Sequence, residues 1–204
     1  TLPDEIFVIG NKFVNDKKKY CPSLPVSVAP AFRFFEIKKI KRDFKTISNT
    51  ILLILPISIH ESKEIINIGL KLSVLIDNKY SLYIKQHPTY TTEKFYKIFP
   101  EVKTSKIQIL EKDFYSLLSN TNLLISSSSS VCFEASLIGV KVAIIGSRNG
   151  FTFNPLSSIN ELKNWKVCYS EFEVLELLQN PEVPLDIDTE EYLSSVKSSY
   201  LLEC

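Results

Sequence analysis

The chain has 204 residues, of which 45% are hydrophobic, so it is long and apolar enough to bury the core of one domain. Its 24 basic and 23 acidic residues leave a net charge of +1, which excludes the strong positive field typical of proteins that bind nucleic acid. The longest apolar run, residues 51–57, is far shorter than the roughly 20 residues that cross a bilayer. We therefore expect a soluble globular domain.

Short apolar segments alternate with amphipathic segments along the chain, and this order predicts parallel strands covered by helices. Eight segments have the character of strands, namely residues 5–9, 26–29, 51–56, 81–85, 107–110, 123–126, 141–145 and 166–169. Several are apolar almost throughout, as strands buried on both faces must be. The predicted fold is an α/β domain with a Rossmann-like parallel sheet and helices on both faces.

The helix with the clearest signals is predicted from Ser58 to about Ile76. Ser58 and Glu61 have the spacing of a capping box, and isoleucine and leucine side chains form a broad apolar stripe behind them. Further helices are predicted over residues 91–99, 113–119, 129–138 and 171–178. Residues 181–204 are predicted to be a terminal loop and a helix over 189–200, which packs back across the domain or onto a neighbouring domain.

Four cysteines, Cys21, Cys132, Cys168 and Cys204, show neither a CxxC pair nor a histidine at the spacing of zinc ligands. The sequence therefore predicts no metal site. Cys132 falls in a predicted helix and Cys168 in an apolar strand. We expect both to be buried free thiols in a reducing cytoplasm rather than members of disulfides.

Five consecutive serines, residues 126–130, follow a predicted strand and open a predicted helix that Gly139 closes. One helix N-cap needs one serine, so several hydroxyls and backbone N–H groups are left to face the space beyond the sheet. Such a helix start binds phosphate through its N–H groups and its dipole. Two interpretations remain open: a phosphate site at Ser127, Ser128, Ser129 and Ser130, or a polar turn with redundant caps.

His87 follows the predicted strand 81–85 and precedes Pro88, which excludes helical geometry for His87. A stiff strand exit therefore presents its imidazole at the edge where open parallel sheets bind their ligands. An imidazole there can bond a phosphate oxygen and stabilise the charge on a departing nucleotide. The alternative is an ordinary surface histidine. His60, the second histidine of the chain, is predicted to be such a surface residue in a first helical turn.

These segments together carry a family resemblance over roughly residues 51–146. Lys-Gln-His-Pro at residues 85–88, the serines at 126–130, Glu-Ala at 134–135, Gly139 and the strand at 142–145 resemble the C-terminal, nucleotide-sugar-binding half of a GT-B glycosyltransferase. A His-Pro motif paired with a serine motif is similar to bacterial sialyltransferases, polysialyltransferases and Kdo transferases. Those enzymes use CMP-activated acidic sugars.

The resemblance implies roles for individual residues. His87 becomes the candidate catalytic residue, and it grips the donor phosphate together with Ser127, Ser128 and Ser129. Glu134 resembles the acidic residue with which many GT-B enzymes bond ribose hydroxyls. The alternative for Glu134 is a solvated carboxylate on the helix surface.

Two upstream residues are further candidates. Gly10 follows the first predicted strand, where a glycine lets the backbone approach a ligand or simply forms a turn. Arg33 lies in Pro-Ala-Phe-Arg-Phe at residues 30–34, which resembles a segment in proteins of surface-carbohydrate assembly. Arg33 is able to hold a phosphate or a sugar carboxylate through two hydrogen bonds, or it is a rim arginine without a special role.

The resemblance implies that residues 1–204 are a single donor-binding domain of a metal-independent glycosyltransferase. The implied donor is a CMP-activated, sialic acid-like or Kdo-like sugar, with no permanently bound cofactor, and the implied acceptor is a glycan or lipid-linked glycan. The chain contains no methionine and begins in a linker-like segment. We therefore expect an N-terminal acceptor domain that carries the general base, so that this piece alone binds donor but turns it over poorly.

Lysine-rich segments at residues 17–19 and 38–42 are interpreted as solvated faces, or as a basic face that contacts anionic lipid. The expected location is the cytoplasm, with peripheral contact at the inner face of the cell membrane, and no nucleic-acid partner is expected. Two rival hypotheses remain open. One is a UDP-sugar transferase or CDP-polyol phosphotransferase of the same fold, and the other is a non-catalytic α/β binding module.

Overall fold

The computed structural model describes residues 3–40, 42, 49–76, 78–110, 114–148, 150–159, 161–181 and 188–194. The chain divides into two compact units. The small unit is formed by Thr1–Ile40 and Asp186–Cys204, and the large unit by Lys41–Leu185. The predicted terminal helix over 189–200 is described only as far as residue 194, and Cys204 lies outside the described residues.

Eight strands and eight helices cover the described residues. In chain order, strands β1 to β8 are Ile6–Val8, Val26–Val28, Thr50–Ile54, Ser81–Lys85, Gln108–Ile109, Thr121–Ser126, Lys141–Ile145 and Trp165–Cys168. Helices α1 to α8 are Lys12–Tyr20, Phe35–Lys39, Ile59–Leu75, Thr92–Ile98, Phe114–Leu118, Val131–Leu137, Glu171–Gln179 and Thr189–Tyr192. Two 3-10 segments, Phe32–Phe34 and Pro100–Thr104, complete the regular structure.

The small unit contains a parallel pair of strands, β1 and β2, joined through α1. Its C-terminal segment is attached just after β1, because the N–H of Ser194 donates to the carbonyl of Ile9 at 2.7 Å. The sequence did not predict α1 or α2. Helix α1 buries no residue and carries a run of lysines, so it lacks the apolar stripe from which an amphipathic helix is recognised.

The large unit is built around a six-stranded parallel sheet with the strand order β5-β4-β3-β6-β7-β8. The chain starts in the middle at β3, extends to β5 on one side, then crosses to β6 and extends to β8 on the other. This is the order of the Rossmann sheet, in which the strand order reverses between β3 and β6. The predicted α/β Rossmann-like sheet is confirmed, while β1 and β2 form a sheet of their own.

Both faces of the central strands are buried, which explains their continuous apolar sequences. All five residues of β3 and all five of β7 are buried. On one face, Leu53 belongs to a core that includes Ile65 and Leu72 of α3 and Val174 of α7. Leu52 points to the opposite face and is also fully buried. Helices therefore flank the sheet, as the sequence predicts.

Helix α6 ends at Leu137, and Gly139 closes it as expected, two residues later, with a φ of 83°. The N–H of Gly139 donates to the carbonyl of Ser136 at 3.0 Å, and the N–H of Val140 donates to the carbonyl of Ala135 at 3.0 Å. These two bonds define a Schellman motif, which favours glycine at this position. No helix in the described part of the chain combines the length and apolar character of a membrane span.

Candidate functional site

The reversal of strand order brings two loops together at the carboxyl edge of the sheet. One loop joins β3 to α3, and the other joins β6 to α6. Open α/β sheets bind ligands in the crevice at such a switch point, because the flanking helices leave in opposite directions and open a space there. The serine run therefore lies at the most suitable place in this sheet for a ligand.

The hydroxyls of three of the five serines bond to the end of β3 or to the first turn of α3. The hydroxyl of Ser126, at the end of β6, donates to the carbonyl of Ile54 at 2.7 Å. The hydroxyl of Ser127 donates to Oε2 of Glu61, and the hydroxyl of Ser128 donates to the same oxygen at 2.9 Å. Ser126 and Ser127 are buried and Ser128 is exposed. These five residues, 126–130, form the serine turn, which side-chain hydrogen bonds fix to the start of α3.

The last two serines lie before the helix rather than in it. Helix α6 begins at Val131, two residues later than predicted, and Ser130 at its N-cap makes no side-chain cap bond. The hydroxyl of Ser129 accepts from the N–H of Val131 at 3.3 Å. That bond uses a lone pair of Ser129 and leaves its hydroxyl proton for another acceptor.

Glu61 is one residue of this site that the sequence prediction missed. Only half of the predicted capping box forms, since the hydroxyl of Ser58 accepts from the N–H of Glu61 at 3.4 Å. The carboxylate turns toward Ser127 and Ser128 instead of the backbone of the cap. The sequence feature that could have identified Glu61 is an acidic residue in the first helical turn after the central strand. Its partners, however, follow from the pairing of β3 with β6, which sequence patterns do not reveal.

A cavity of about 280 Å³ lies beside Ser128 at this edge. Its walls come from the start of α3, the serine turn and the segment after β7. The side chains that matter for its chemistry are those of His60, Glu61, Glu64, Ser128, Phe151 and Phe153. Nε2 of His60 lies 3.6 Å from Oε1 of Glu64. His60, predicted to be an ordinary surface residue, is therefore part of the cavity wall.

His87 lies at the same edge of the sheet, on the other side of β3. It follows β4, whereas the serines follow β6, so two strand spacings, about 10 Å, separate the ends of those strands. Nδ1 of His87 lies 2.9 Å from Oγ1 of Thr89 and accepts from the N–H of Thr89 at 3.3 Å. In the tautomer in which Nδ1 accepts this N–H, the ring proton is on Nε2, which is then a hydrogen-bond donor. His87 does not line the cavity beside Ser128.

Hydrogen bonds hold the loop that carries His87. Nε2 of Gln86 donates to the carbonyl of Tyr90 at 3.1 Å, and the Tyr90 hydroxyl donates to the carbonyl of Ile57 at 3.1 Å. The second bond joins the loop after β4 to the loop after β3. His87 and the serine turn are thus both anchored around the exit of β3.

Glu134 is fully buried in α6, and its Oε2 accepts from the hydroxyl of Tyr115 at 2.9 Å. The alternative of a solvated helix carboxylate is therefore wrong. A role for Glu134 toward ribose hydroxyls stays a prediction.

Gly10 and Arg33 belong to the small unit. A Cβ atom at Gly10 would overlap the backbone carbonyl of Tyr192 in α8, so the close approach of that segment explains the glycine. Arg33 lies in the 3-10 segment Phe32–Phe34. Ligand contacts by Gly10 and Arg33 stay predictions.

The prediction of buried free thiols is confirmed for Cys132 and Cys168. Burial raises the pKa of the Cys132 thiol from 9.0 to about 12, and burial likewise raises the pKa of Cys168 to about 12. A thiol that stays protonated is a poor nucleophile. Among the described residues, no group of three or more His, Cys, Asp or Glu side chains is placed to hold a metal ion.

The sequence matches no protein-family model, and no curated protein matches it significantly. Among solved structures, the C-terminal domain of a glycosyl transferase group 1 family protein, LpcC from Francisella tularensis, is similar at 10% identity with a TM-score of 0.43, over 72% of this chain and 80% of that one. The wall teichoic acid polymerase TagF, soaked with CDPG, is similar in two structures at 10% and 11% identity with TM-scores of 0.40 and 0.37. These matches cover 86% of this chain and about half of the TagF chain, 49% and 50%. Because all three TM-scores lie below 0.5, none of these similarities identifies an activity for this chain.

Proposed function

We propose that the large unit binds a nucleotide sugar at the carboxyl edge of β3, β4 and β6, and that the chain is the donor-binding part of a glycosyltransferase. The observation that carries the proposal is the serine turn at the switch point of a Rossmann-ordered sheet, with His87 anchored on the other side of β3. A phosphate bridging these two loops has a serine hydroxyl donor on one side and an imidazole N–H on the other.

The hydrogen bonds of the turn indicate where the phosphate would lie. Each hydroxyl has one proton, and those of Ser127 and Ser128 are already donated to Glu61. A phosphate therefore avoids Glu61 and approaches from the β4 side. The proton of Ser129 and the Nε2–H of His87 are its side-chain donors there. Donation from His87 would stabilise the negative charge that grows on the departing nucleotide.

The proposed donor rests on the resemblance that the paired His-Pro and serine motifs carry. We propose a CMP-activated sugar, a glycan or lipid-linked glycan as acceptor, and a separate N-terminal domain that supplies the general base. Glu134 and Arg33 remain candidate ligand contacts in this proposal. Peripheral attachment to anionic lipid through the lysine-rich segments at residues 17–19 and 38–42 belongs to the same proposal.

Calorimetric titration of the chain with CMP, CDP, UDP and GDP tests the function. We expect one nucleotide to bind, with CMP preferred, and His87→Ala or Ser129→Ala to weaken binding by about tenfold, the loss expected for a hydrogen bond to a charged group. Thr104→Ala is the matched control, because it removes a hydroxyl from the 3-10 segment that precedes β5, at the amino end of that strand.

Three outcomes of the titration differ in meaning. Preference for UDP, or for CDP over CMP, would favour the rival transferases of the same fold. Binding of no nucleotide would overturn the proposal and would leave the hypothesis of a non-catalytic α/β binding module. Binding that His87→Ala, Ser129→Ala and Thr104→Ala all leave unchanged would show that the nucleotide lies elsewhere.

A further inference from the structure

We propose that the cavity beside Ser128 binds an uncharged, hydroxyl-bearing ring, and that Glu61 is the specificity-determining residue that accepts its hydroxyl protons. The inference rests on the proposed function in one respect, namely that this ring is part of a nucleotide sugar. The shared chemistry is a vicinal diol, which a nucleotide sugar has both in its ribose and in its transferred sugar.

The charge of the cavity wall favours such a ring over an anion. Glu61 and Glu64 contribute carboxylates, and His60 beside Glu64 is the single titratable nitrogen base in the described wall. No lysine or arginine is present among the described residues of this wall. A phosphate or a sugar carboxylate would meet like charges here, whereas a carboxylate accepts hydrogen bonds from hydroxyls readily.

Glu61 is held in position before any ligand binds. Its Oε2 accepts from Ser127 and Ser128, which uses two of the about four lone-pair sites of a carboxylate. The remaining sites are available to ligand hydroxyls. Because the side chain is already ordered, binding costs little additional conformational entropy at this residue.

Aromatic side chains complete a surface suited to one face of a sugar ring. Phe151 and Phe153 line the cavity, and their relative exposures are 104% and 69%. Apolar C–H groups of a sugar pack on such rings, while the hydroxyls around its edge reach polar groups such as Glu61. The volume of about 280 Å³ is close to the lower end of small-molecule pockets, about 300 Å³, so it suits one ring rather than a whole nucleotide sugar.

The experiment measures the contribution of hydroxyls to affinity in the parent, in Glu61→Gln and in Phe151→Ala. Calorimetry compares the nucleotide that binds best with its 2′-deoxy form, and with neutral and acidic sugar conjugates, UDP-glucose and CMP-sialic acid. Methyl glucoside is titrated separately. Glu93→Gln is the control for the carboxylate, since Glu93 is also in a first helical turn but is exposed and outside the cavity. Phe172→Ala is the control for the ring, as an exposed phenylalanine outside the cavity.

We expect Glu61→Gln to lose about tenfold of the affinity for the hydroxyl-bearing ligand, and Phe151→Ala to lose about threefold to tenfold, with both controls unchanged. If the 2′-deoxy form loses this Glu61-dependent affinity, the ring in the cavity is ribose. If UDP-glucose, the neutral conjugate, binds with additional affinity that depends on Glu61, the ring is the transferred sugar.

Other outcomes overturn the inference or the function separately. A nucleotide that binds with no contribution from hydroxyls and no effect of Glu61→Gln would overturn the inference alone. Stronger nucleotide binding to Glu61→Gln would overturn it too, because it would mean that phosphate competes with Glu61 for the serines. Glu61-dependent binding of methyl glucoside with no nucleotide binding would overturn the proposed function alone, and binding of no compound would overturn both.

Discussion

The hydroxyl of Ser128 donates a hydrogen bond of 2.9 Å to the carboxylate of Glu61, 67 residues earlier in the chain. This bond joins the turn after β6 to the first turn of α3, where the order of the strands reverses. It therefore holds together the two segments that form the candidate site, and it uses a hydroxyl proton that a phosphate would otherwise accept.

A double-mutant cycle measures this relationship. We expect Ser128→Ala and Glu61→Ala each to lower the free energy of unfolding, and the double variant to lose less than their sum by about 1 kcal/mol. The reason is that a hydrogen bond to a charged group contributes about 1.5–3 kcal/mol, reduced here because Ser128 is exposed. Urea denaturation of the four proteins gives the coupling energy.

The control cycle pairs Ser128→Ala with Glu93→Ala. Glu93 is in the first turn of α4 and pairs with Lys97 at 2.9 Å, not with the serine turn. Its effect should add to that of Ser128→Ala within about 0.5 kcal/mol. Equal coupling in both cycles would mean that Ser128 and Glu61 do not interact in solution.

Sequence patterns were sufficient for the strands and α-helices of the large unit, although not for the 3-10 segment Pro100–Thr104. The segments predicted at 81–85 and 141–145 coincide with β4 and β7, since their apolar runs are bounded by turn residues. The capping side chains of Ser58 and Thr91 mark the starts of α3 and α4. Local signals of this kind operate within a few residues, and a sequence shows them directly.

The composition of the site was predictable only in part. The serines and His87 were recognised as candidates because they follow predicted strands, and the ends of strands can be predicted from local sequence. Glu61 was assigned to capping, since its real partners lie 66 and 67 residues away and depend on which strands pair. The same limit applies to Gly10, where the close approach of residue 192 is a long-range contact.

Gly10→Ala should destabilise the small unit. The added methyl would overlap the carbonyl groups of Tyr192 and Glu191, which are backbone atoms and cannot rotate away. Overpacking of this kind costs about 1–3 kcal/mol. Hydrogen exchange of the amide of Ser194, which donates to Ile9, reports the loosening as faster exchange.

Gly150→Ala is the matched control. A Cβ atom there would meet only Oγ of Ser147, at the ordinary contact distance of 3.6 Å. We expect its effect on stability to stay within about 0.5 kcal/mol. Unchanged exchange at Ser194 in Gly10→Ala would contradict the packing of α8 against this glycine.

Gly139→Ala should destabilise the large unit by about 1 kcal/mol, because the φ of 83° is strained for a residue with a Cβ atom. Gly139→Asn should lose less, since asparagine tolerates the left-handed conformation better than alanine. Urea denaturation of the two variants gives the order of stability. Equal losses for alanine and asparagine would indicate that the space around the side chain, and not the backbone conformation, determines the effect.

The buried thiol of Cys132 should make the protein less stable at alkaline pH. Burial raises its pKa from 9.0 to about 12, so above pH 9 the unfolded chain releases this proton while the folded chain keeps it. The free energy of unfolding therefore falls as pH rises between about 9 and 12, by at most about 1.4 kcal/mol per pH unit for this group.

We expect Cys132→Ala to have a shallower fall over this range than the parent, measured by urea denaturation at several pH values. Cys168→Ala should likewise have a shallower fall, because burial raises the pKa of that thiol to about 12 as well. A parent and a Cys132→Ala variant with the same slope would show that this thiol ionises equally in the folded and unfolded protein.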